Sequence, residues 1–383
     1  MNMVEYSEYR LGSLCNRFSS GKGIPADLIN ETGKYPVIGG NGLRGYTDTY
    51  NFDGECAVIG RQGAYCGNVQ FFSGKGYMTE HAVVTQPNSA NNAKYLTYKL
   101  NGLSLGRFSG QAAQPGLSVT KLARLRIEMP PKWYQDKVAG ILYAYDNLIE
   151  VNNKRIKVLE QMAENLYKEW FVRFRFPGHE KADFENGIPK GWRRGRISEF
   201  YTTSSGGTPS RELDEYYVDG TIPWIKTGEL QDCLLIDTEE RITEVAVKKS
   251  SAKFFPKDSV LMAMYGVNIG MLAYSTMDAT CNQACCVFRD KGNISTKHYL
   301  FQCLKSIRDY LLLISFGAAQ QNLSQDLIKR VRIVMPDEET VIRFEQKIEP
   351  LYNEIKHLLK ANACLIRQRD LLLPRLMSGK LEV

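Results

Sequence analysis

The sequence predicts an α+β fold: two tandem, mixed α/β-rich modules separated by two long helices packed as an antiparallel coiled coil, with an internal pseudo-two-fold repeat. Three observations predict it. First, the chain repeats itself at a shift of 206 positions. Residues 111–130 read QAAQPGLSVTKLARLRIEMP and residues 317–336 read GAAQQNLSQDLIKRVRIVMP, identical at ten of twenty positions. Second, each repeat runs into a long stretch, the first with one Gly and no Pro after Pro131, whose apolar residues step by three and four, the spacing of a helix that buries one face against another helix. Third, each repeat is preceded by short β-type runs separated by Gly, Asn and Asp turns.

In chain order, residues 1–130 form the first module. Its β-type runs are YPVIGG, CAVIG, NVQFF and HAVVT, followed by a short helix near Ala93–Asn101. Residues 131–177 carry the central long helix, about Tyr134 to Trp170, with the seam Leu142, Tyr145, Ile149, Asn152, Ile156, Leu159, Ala163, Leu166 and Trp170. At about 1.5 Å per residue such a helix exceeds the needs of one ordinary domain. Residues 178–336 form the second module, entered through the Gly- and Pro-rich connection FPGHEKADFENGIPKGW. Its runs are TIPWIK, SVLMAMYG, GMLAYS and QACCVF, with a helix near His298–Ile314. Residues 337–383 carry the second long helix, about Glu338 to Met377, with its seam in the same phase. Upstream of the repeat the modules match more loosely: Ser19-Ser20-Gly21 resembles Ser205-Gly206-Gly207, and Gly63 and Gly67 resemble Gly266 and Gly270.

The two seams fit each other antiparallel when paired residue numbers sum to 514. Leu142 then meets Leu372, Ile149 meets Leu365, Ile156 meets Leu358, and the two seam asparagines, Asn152 and Asn362, face one another. Parallel pairing would set each asparagine against an aliphatic side chain, and an unpaired buried amide costs about 1–3 kcal/mol. Asn152 and Asn362 are therefore the candidate register residues. The alternative is an asparagine at the seam edge, in water.

Composition narrows the function classes. Net charge is +7 over 383 residues, which permits a polyanionic partner without requiring one. The four segments carry +4, +2, +1 and 0 in order, so nucleic-acid contact has to come from how charges are placed on a face. No signal peptide is expected, and no apolar run of membrane-spanning length occurs. The nine cysteines are irregularly spaced, which fits a reducing cytoplasm.

Catalytic and cofactor motifs are lacking. Gly40-Asn41-Gly42-Leu43-Arg44-Gly45 formally matches G-x-G-x-x-G, but turn-rich sequence follows it where a dinucleotide site needs a helix and a later acid. It reads as a tight loop presenting Asn41 and Arg44. There is no phosphate-binding G-x-x-x-x-G-K-[S/T], and no [D/N]-P-P-[Y/F] of amino-methyltransferases. Cys281, Cys285 and Cys286 lack metal-ligand spacing and read as small buried residues. No cofactor and no metal is expected.

What remains is polar loop material with base-reading chemistry. In the first module it comprises Lys22, Asn41, Arg44, Tyr46, Arg61, Gln62, Tyr65, Asn68 and Gln111. In the second it comprises Thr208, Ser210, Arg211, Lys226, Thr227, Tyr265, Asn268, Gln283, Gln321 and Asn322. Arginine reads guanine and Asn or Gln reads adenine in the major groove, while Ser, Thr and Lys hold phosphates. Each taken alone is an ordinary solvated turn residue; recurrence in two related modules is what favours a DNA face. Gln114 and Gln320, inside the strongest repeat, suit a structural pin before the helix as well as they suit a DNA contact.

The segments NNKRIKVLEQMAENLYKEWFVRFRFPG, GIPKGW…GGTPS and RQRDLLLPRLMSGKLEV resemble the specificity subunit of type I restriction–modification systems. The resemblance covers the whole chain. It implies two target recognition domains, each reading half of a bipartite site in double-stranded DNA. The long helices would set the spacer and bind methyltransferase (modification) subunits, two of them, with restriction/translocase subunits as further partners. Adenine methylation, translocation and cleavage would lie in those partners, leaving this chain non-catalytic and in the prokaryotic cytoplasm, at the nucleoid when bound to DNA. Two other classes compete. A methyltransferase or nuclease active alone would modify or cut DNA without partners. A protein scaffold would fail to discriminate DNA sequences even when bound to them.

Overall fold

The computed structural model describes residues 4–63, 65–109, 116–292, 294–315, 322–381 and 383. The chain divides into two compact units, residues 1–149 with 364–383, and residues 150–363. The division falls inside both long helices.

The first unit is built on a six-stranded sheet. Strands β1 (Ser7–Arg10), β2 (Cys15–Ser20), β3 (Tyr35–Gly39), β4 (Gly42–Thr47), β5 (Phe52–Gly60), β6 (Val69–Met78) and β7 (Ala82–Pro87) lead into helix α1 (Ala93–Asn101), the short helix α2 (Val119–Ala123) and β8 (Arg126–Met129). The sheet order is β2-β7-β5-β6-β3-β4, antiparallel except where β3 runs parallel to β6. The runs CAVIG and HAVVT form its buried centre: Ala57, Val58, Ile59, Val83 and Val84 are fully buried. Leu96, Leu100 and Leu122 pack on that core. Helix α3 follows as Lys132–Tyr167.

The second unit repeats the plan with more, shorter strands. A small hairpin, β9 (Phe184–Glu185) and β10 (Ile188–Pro189), precedes β11 (Arg193–Arg196), helix α4 (Ile197–Phe200), β12 (Tyr201–Ser205), β13 (Ile222–Ile225), β14 (Cys233–Leu235) and β15 (Arg241–Ile242). Then come α5 (Glu244–Lys249), β16 (Val260–Ala263), β17 (Leu272–Ser275), β18 (Thr280–Cys281), β19 (Cys285–Asp290), α6 (Lys297–Ser306), α7 (Arg308–Ser315), α8 (Gln325–Arg330), β20 (Arg332–Met335) and α9 (Glu338–Met377). The sheets run β12-β19-β16-β17-β14 and β15-β13-β18.

The described part of the repeated segment has one local structure in both units. Ser118 and Ser324 each accept a hydrogen bond from a backbone N–H three residues on, at 3.4 Å and 3.1 Å, capping α2 and α8. Leu117 and Leu323 are buried, as are Ile127 and Ile333. The closing strand pairs antiparallel with a strand near the start of its own module, Ser7 opposite Met129 and Arg193 opposite Met335. Cap, core and strand pairing account for the shared serine, leucine and isoleucine there.

The long helices depart from expectation only at their ends. α3 starts at Lys132 rather than Tyr134, and its α-helical part stops at Tyr167. A π turn, Lys168–Val172, carries Trp170; widening the turn buries Trp170 and Phe171 together against Phe344, ring centroids 5.7 Å and 4.8 Å away. The expected helix His298–Ile314 is two helices. Ile307 leaves helical geometry at φ −101°, ψ 9°, and Arg308 is pulled to Asp232 and to the Gly270 carbonyl.

The helix pair is antiparallel in the expected register. In the first unit Leu142 shares a core with Leu372 and Leu376, and Arg369 donates to Asp146 at 2.6 Å. In the second, Ile156, Leu159, Ile355 and Leu358 share a core, and Asn152 Nδ2 donates to Asn362 Oδ1 at 2.8 Å. Asn362 in turn donates to Asn153 Oδ1 at 2.9 Å. Asn152 and Asn362 are buried.

Among the described residues no helix is long and apolar enough to cross a membrane, and no group of three His, Cys, Asp or Glu residues is placed to hold a metal ion. All nine cysteines are free thiols; burial pushes the Cys286 thiol up to about 12.

Candidate nucleic-acid interface

In the first unit several strand ends converge. The loop from Gly60 to Asn68 closes on itself through Gly60 N to Asn68 O and Gly67 N to Gly60 O, both 2.8 Å. Arg61 N donates to His81 O and Leu117 N donates to Arg61 O, both at 2.9 Å, tying that loop to its two neighbours. Gly21 N and Lys22 N bind the carbonyls of Ala82 and Met78 at 3.0 Å. The approach needs glycine, because a Cβ on Gly21 would lie 2.0 Å from the Met78 carbonyl oxygen.

The second unit repeats the bonds of the central loop at a shift of 203. Ala263 N reaches Met271 O at 2.9 Å, Gly270 N reaches Ala263 O at 2.8 Å, and Met264 N reaches Ala284 O at 2.8 Å. Leu323 N closes on Met264 O at 2.8 Å as Leu117 does on Arg61. Gly63 and Gly67, at φ +84° and +88°, correspond to Gly266 and Gly270, at +90° and +78°.

The candidate side chains of the first unit fall into three groups. Lys22, Asn41, Arg44, Gln62, Tyr65 and Asn68 are exposed on or beside these loops. Asn41 is at the two-residue turn of the β3–β4 hairpin, where Gly39 pairs with Gly42. Arg61 is braced inward, its guanidinium donating to Leu117 O at 3.3 Å and Ser20 Oγ at 3.5 Å. Tyr46 sits further along β4, half-buried, its backbone exchanging hydrogen bonds with Asn30. Gln111 lies outside the described residues, as does Gln114.

In the second unit Thr208 Oγ1 donates to Gln283 Oε1, joining two of the candidates. Asn268 Nδ2 faces the carbonyls of Thr227, Gly228 and Leu230, at 3.0, 3.3 and 3.3 Å, so it braces the turn that carries Thr227. Tyr265 is half-buried against the core, and burial raises its hydroxyl pKa. Ser210 accepts from Glu212 N at 3.4 Å, and Asn322 is exposed beside Leu323. Lys226 Nζ lies 2.8 Å from Glu240 Oε1 and 3.0 Å from Glu239 Oε2. Arg211 Nη2 lies 2.7 Å from the other oxygen of Glu240. Hydrogen bonds from Lys226 and then Arg211 hold the Glu240 carboxyl below its ordinary range. Gln321 and Gln320 lie outside the described residues.

Sequence reasoning missed Glu239 and Glu240, and the rings of Tyr217 and Trp224 under Arg211. It also missed Glu345, whose carboxylate binds His298 Nδ1 at 2.6 Å and accepts from the backbone N–H groups of His298 and Tyr299. The Glu-Glu doublet was visible as charge, but nothing in its spacing pointed to Arg211.

The family model described as type I restriction modification DNA specificity domain matches residues 3–161 and 189–360. The chain is similar to the type I restriction enzyme MjaIX specificity subunit of Methanocaldococcus jannaschii, 27% identical over 316 residues, which are 78% of this chain and 71% of that one. It is 37% identical over 166 residues to the EcoprrI specificity subunit of Escherichia coli, covering 42% of this chain and 41% of that one. Among solved structures, the S subunit of a type I restriction–modification system from M. genitalium aligns with a TM-score of 0.70 at 16% identity, covering 98% and 97% of the two chains.

Proposed function

The chain belongs to the type I restriction modification DNA specificity family, and on that premise we propose that it is the DNA-recognition subunit of a type I restriction–modification complex, reading one half-site with each module. The observation that carries this reading is the repeated loop frame. Two modules hold the same backbone hydrogen bonds around different side chains rich in Arg, Asn, Gln, Lys and Tyr. A common scaffold with variable polar loops suits two readers of two different short sequences.

The long helices support the rest of the proposal. α3 leaves Ile141, Leu148, Val151, Val158 and Met162 exposed, apolar positions at heptad spacing and one residue ahead of the seam packed against α9. Two methyltransferase subunits bind on these helices, with restriction/translocase subunits joining the same assembly. The helices' length sets the unread spacer, and methyl transfer and cleavage belong to the partners.

The test is an exchange of residues 1–130 for those of a relative, in the full complex, followed by sequencing of the methylated bases. One half of the modified sequence changes and the other half and the spacer stay. A change in both halves, or in neither, overturns the reading. Affinity of the complex for duplex DNA falls steeply with salt, as phosphate contacts require.

A further inference from the structure

In the second module one arginine is held by two aromatic rings and a carboxylate. The Arg211 guanidinium carbon lies 4.5 Å from the ring centroid of Tyr217 and 5.1 Å from that of Trp224. Its Nη2 meets Glu240 Oε2 at 2.7 Å. Each of these supports is itself fixed. Trp224 is buried and donates through Nε1 to Gly207 O at 3.0 Å. Tyr217 Oη donates to Pro209 O at 2.7 Å. The Glu240 carbonyl accepts from Trp224 N at 3.1 Å and Thr238 Oγ1 at 2.8 Å, and its second carboxylate oxygen takes Lys226.

Yet the Arg211 side chain is 55% exposed. A guanidinium carries five N–H donors in a fixed planar fork, and among the described residues Arg211 has one polar partner, Glu240. An arginine serving only to staple the loop would bury that fork. A phosphate can be held by a lysine's point charge on a mobile stem or by an arginine fork that swings to meet it, so an anchor does not require the fork's plane to be fixed beforehand. A planar fork pre-oriented by two rings and a carboxylate, with an open edge, matches instead the paired O6 and N7 acceptors of guanine in the major groove. Lys226 contrasts with it: its side chain is only 28% exposed and its ammonium is held between two carboxylates.

We propose that Arg211 reads a guanine in the half-site of the second module, with Glu240 as the positioning residue that sets the plane of the fork. This rests on the DNA-recognition reading above. The experiment uses the full chain with its methyltransferase subunits and a random-sequence duplex library, selecting bound duplexes for wild type, Arg211→Lys and Glu240→Gln. Arg211→Lys keeps the charge and loses the fork. It lowers the preference for one G·C pair about ten- to a hundredfold, leaves the other half-site unchanged, and keeps the slope of affinity against salt. Glu240→Gln relaxes the same base pair. Both variants unfold within a few degrees of wild type, which separates positioning from folding. The proposal is overturned if Arg211→Lys discriminates as wild type does, or weakens all duplexes uniformly as loss of a phosphate contact would. The role of Glu240 is overturned if Glu240→Gln leaves that base pair as selective as before. A wild-type complex with no sequence preference would instead overturn the DNA-recognition reading itself.

Discussion

The two modules place different side chains on one backbone frame. Position 61 of the first is arginine, hydrogen-bonded to Leu117 O and Ser20 Oγ; its equivalent in the second, Met264, is buried in the core. Tyr65 is 58% exposed, while its equivalent Asn268 turns inward to three carbonyls. The backbone bonds linking these positions to their neighbours are the same to within about 0.1 Å in both modules. The frame is therefore closed by backbone groups and by glycines at positive φ, and asks little of the side chains. Such a loop can change what it presents without changing how it folds, which is what a reader of variable sequences requires.

The comparison extends to the junction where each long helix meets the first turn of a short one. In the first module Gln135, buried on α3, accepts from Asn92 N at 2.9 Å and donates to Asn91 Oδ1 and Pro130 O. In the second, Glu345 on α9 does the equivalent work for α6 with a carboxylate bound to the His298 ring and two backbone N–H groups. His298 is itself buried, its ring centroid 4.3 Å from Tyr352 and 5.3 Å from Tyr274. Removing a charge-assisted partner strands more than removing an amide. Glu345→Ala is expected to cost about 3–5 kcal/mol, and Gln135→Ala about 1–3 kcal/mol, read by chemical unfolding of the full chain. Equal losses would show that the charge at residue 345 contributes nothing beyond its hydrogen bonds.

The equivalent glycines of the frame differ in a way that sharpens the same point. A Cβ on Gly67 would sit 2.2 Å from Gly106 N and 2.7 Å from Gly106 Cα, both backbone. A Cβ on Gly270 would meet only the side chains of Arg308 and Leu312, at 3.3–3.6 Å. Both carry positive φ, so alanine is strained at either by about 1–2 kcal/mol. Gly67→Ala adds a backbone clash and is expected to lose about 3 kcal/mol in all; Gly270→Ala is expected to lose only the conformational part. Indistinguishable unfolding midpoints for the two variants would mean that the 105–106 segment yields freely.

What the sequence revealed of this fold followed from periodicity. The seams and the central runs of the sheets depend on spacings of two, three and four, which local geometry dictates, and the repeat at 206 residues shows as identity of sequence. The π turn under Trp170 was not visible, because widening a helix by one residue changes the backbone without disturbing the apolar spacing before it. The candidate DNA face could be named from the sequence as residue types in loops, not as partners. Glu240 is 29 positions from Arg211, and they meet because β13 pairs with β15 over two residues, Ile222 opposite Ile242 and Pro223 opposite Arg241. No pattern announces so short a ladder. The inward turn of Arg61 and Asn268 was likewise hidden, since an exposed polar side chain and a bracing one look alike in a sequence.

A comparably small effect concerns the feature the two halves share most directly, the paired seams. Asn152 and Asn362 meet in an otherwise apolar stripe, with Asn153 supplying a second acceptor at its exposed edge. In Asn152→Leu the Asn362 carbonyl oxygen loses its donor while Asn153 still takes its amide. The loss is expected to be about 1–2 kcal/mol. Asn362→Leu strands the Asn152 amide in the same way. With both replaced, the layer becomes leucine against leucine and Asn153, already exposed, turns to water, so the double variant recovers most of the stability. The coupling between the two sites then has the sign opposite to the single losses. If the losses simply add, the amide pair contributes no mutual stabilisation, and the register is held by the flanking layers of Ile156 with Leu358 and Leu142 with Leu372 alone.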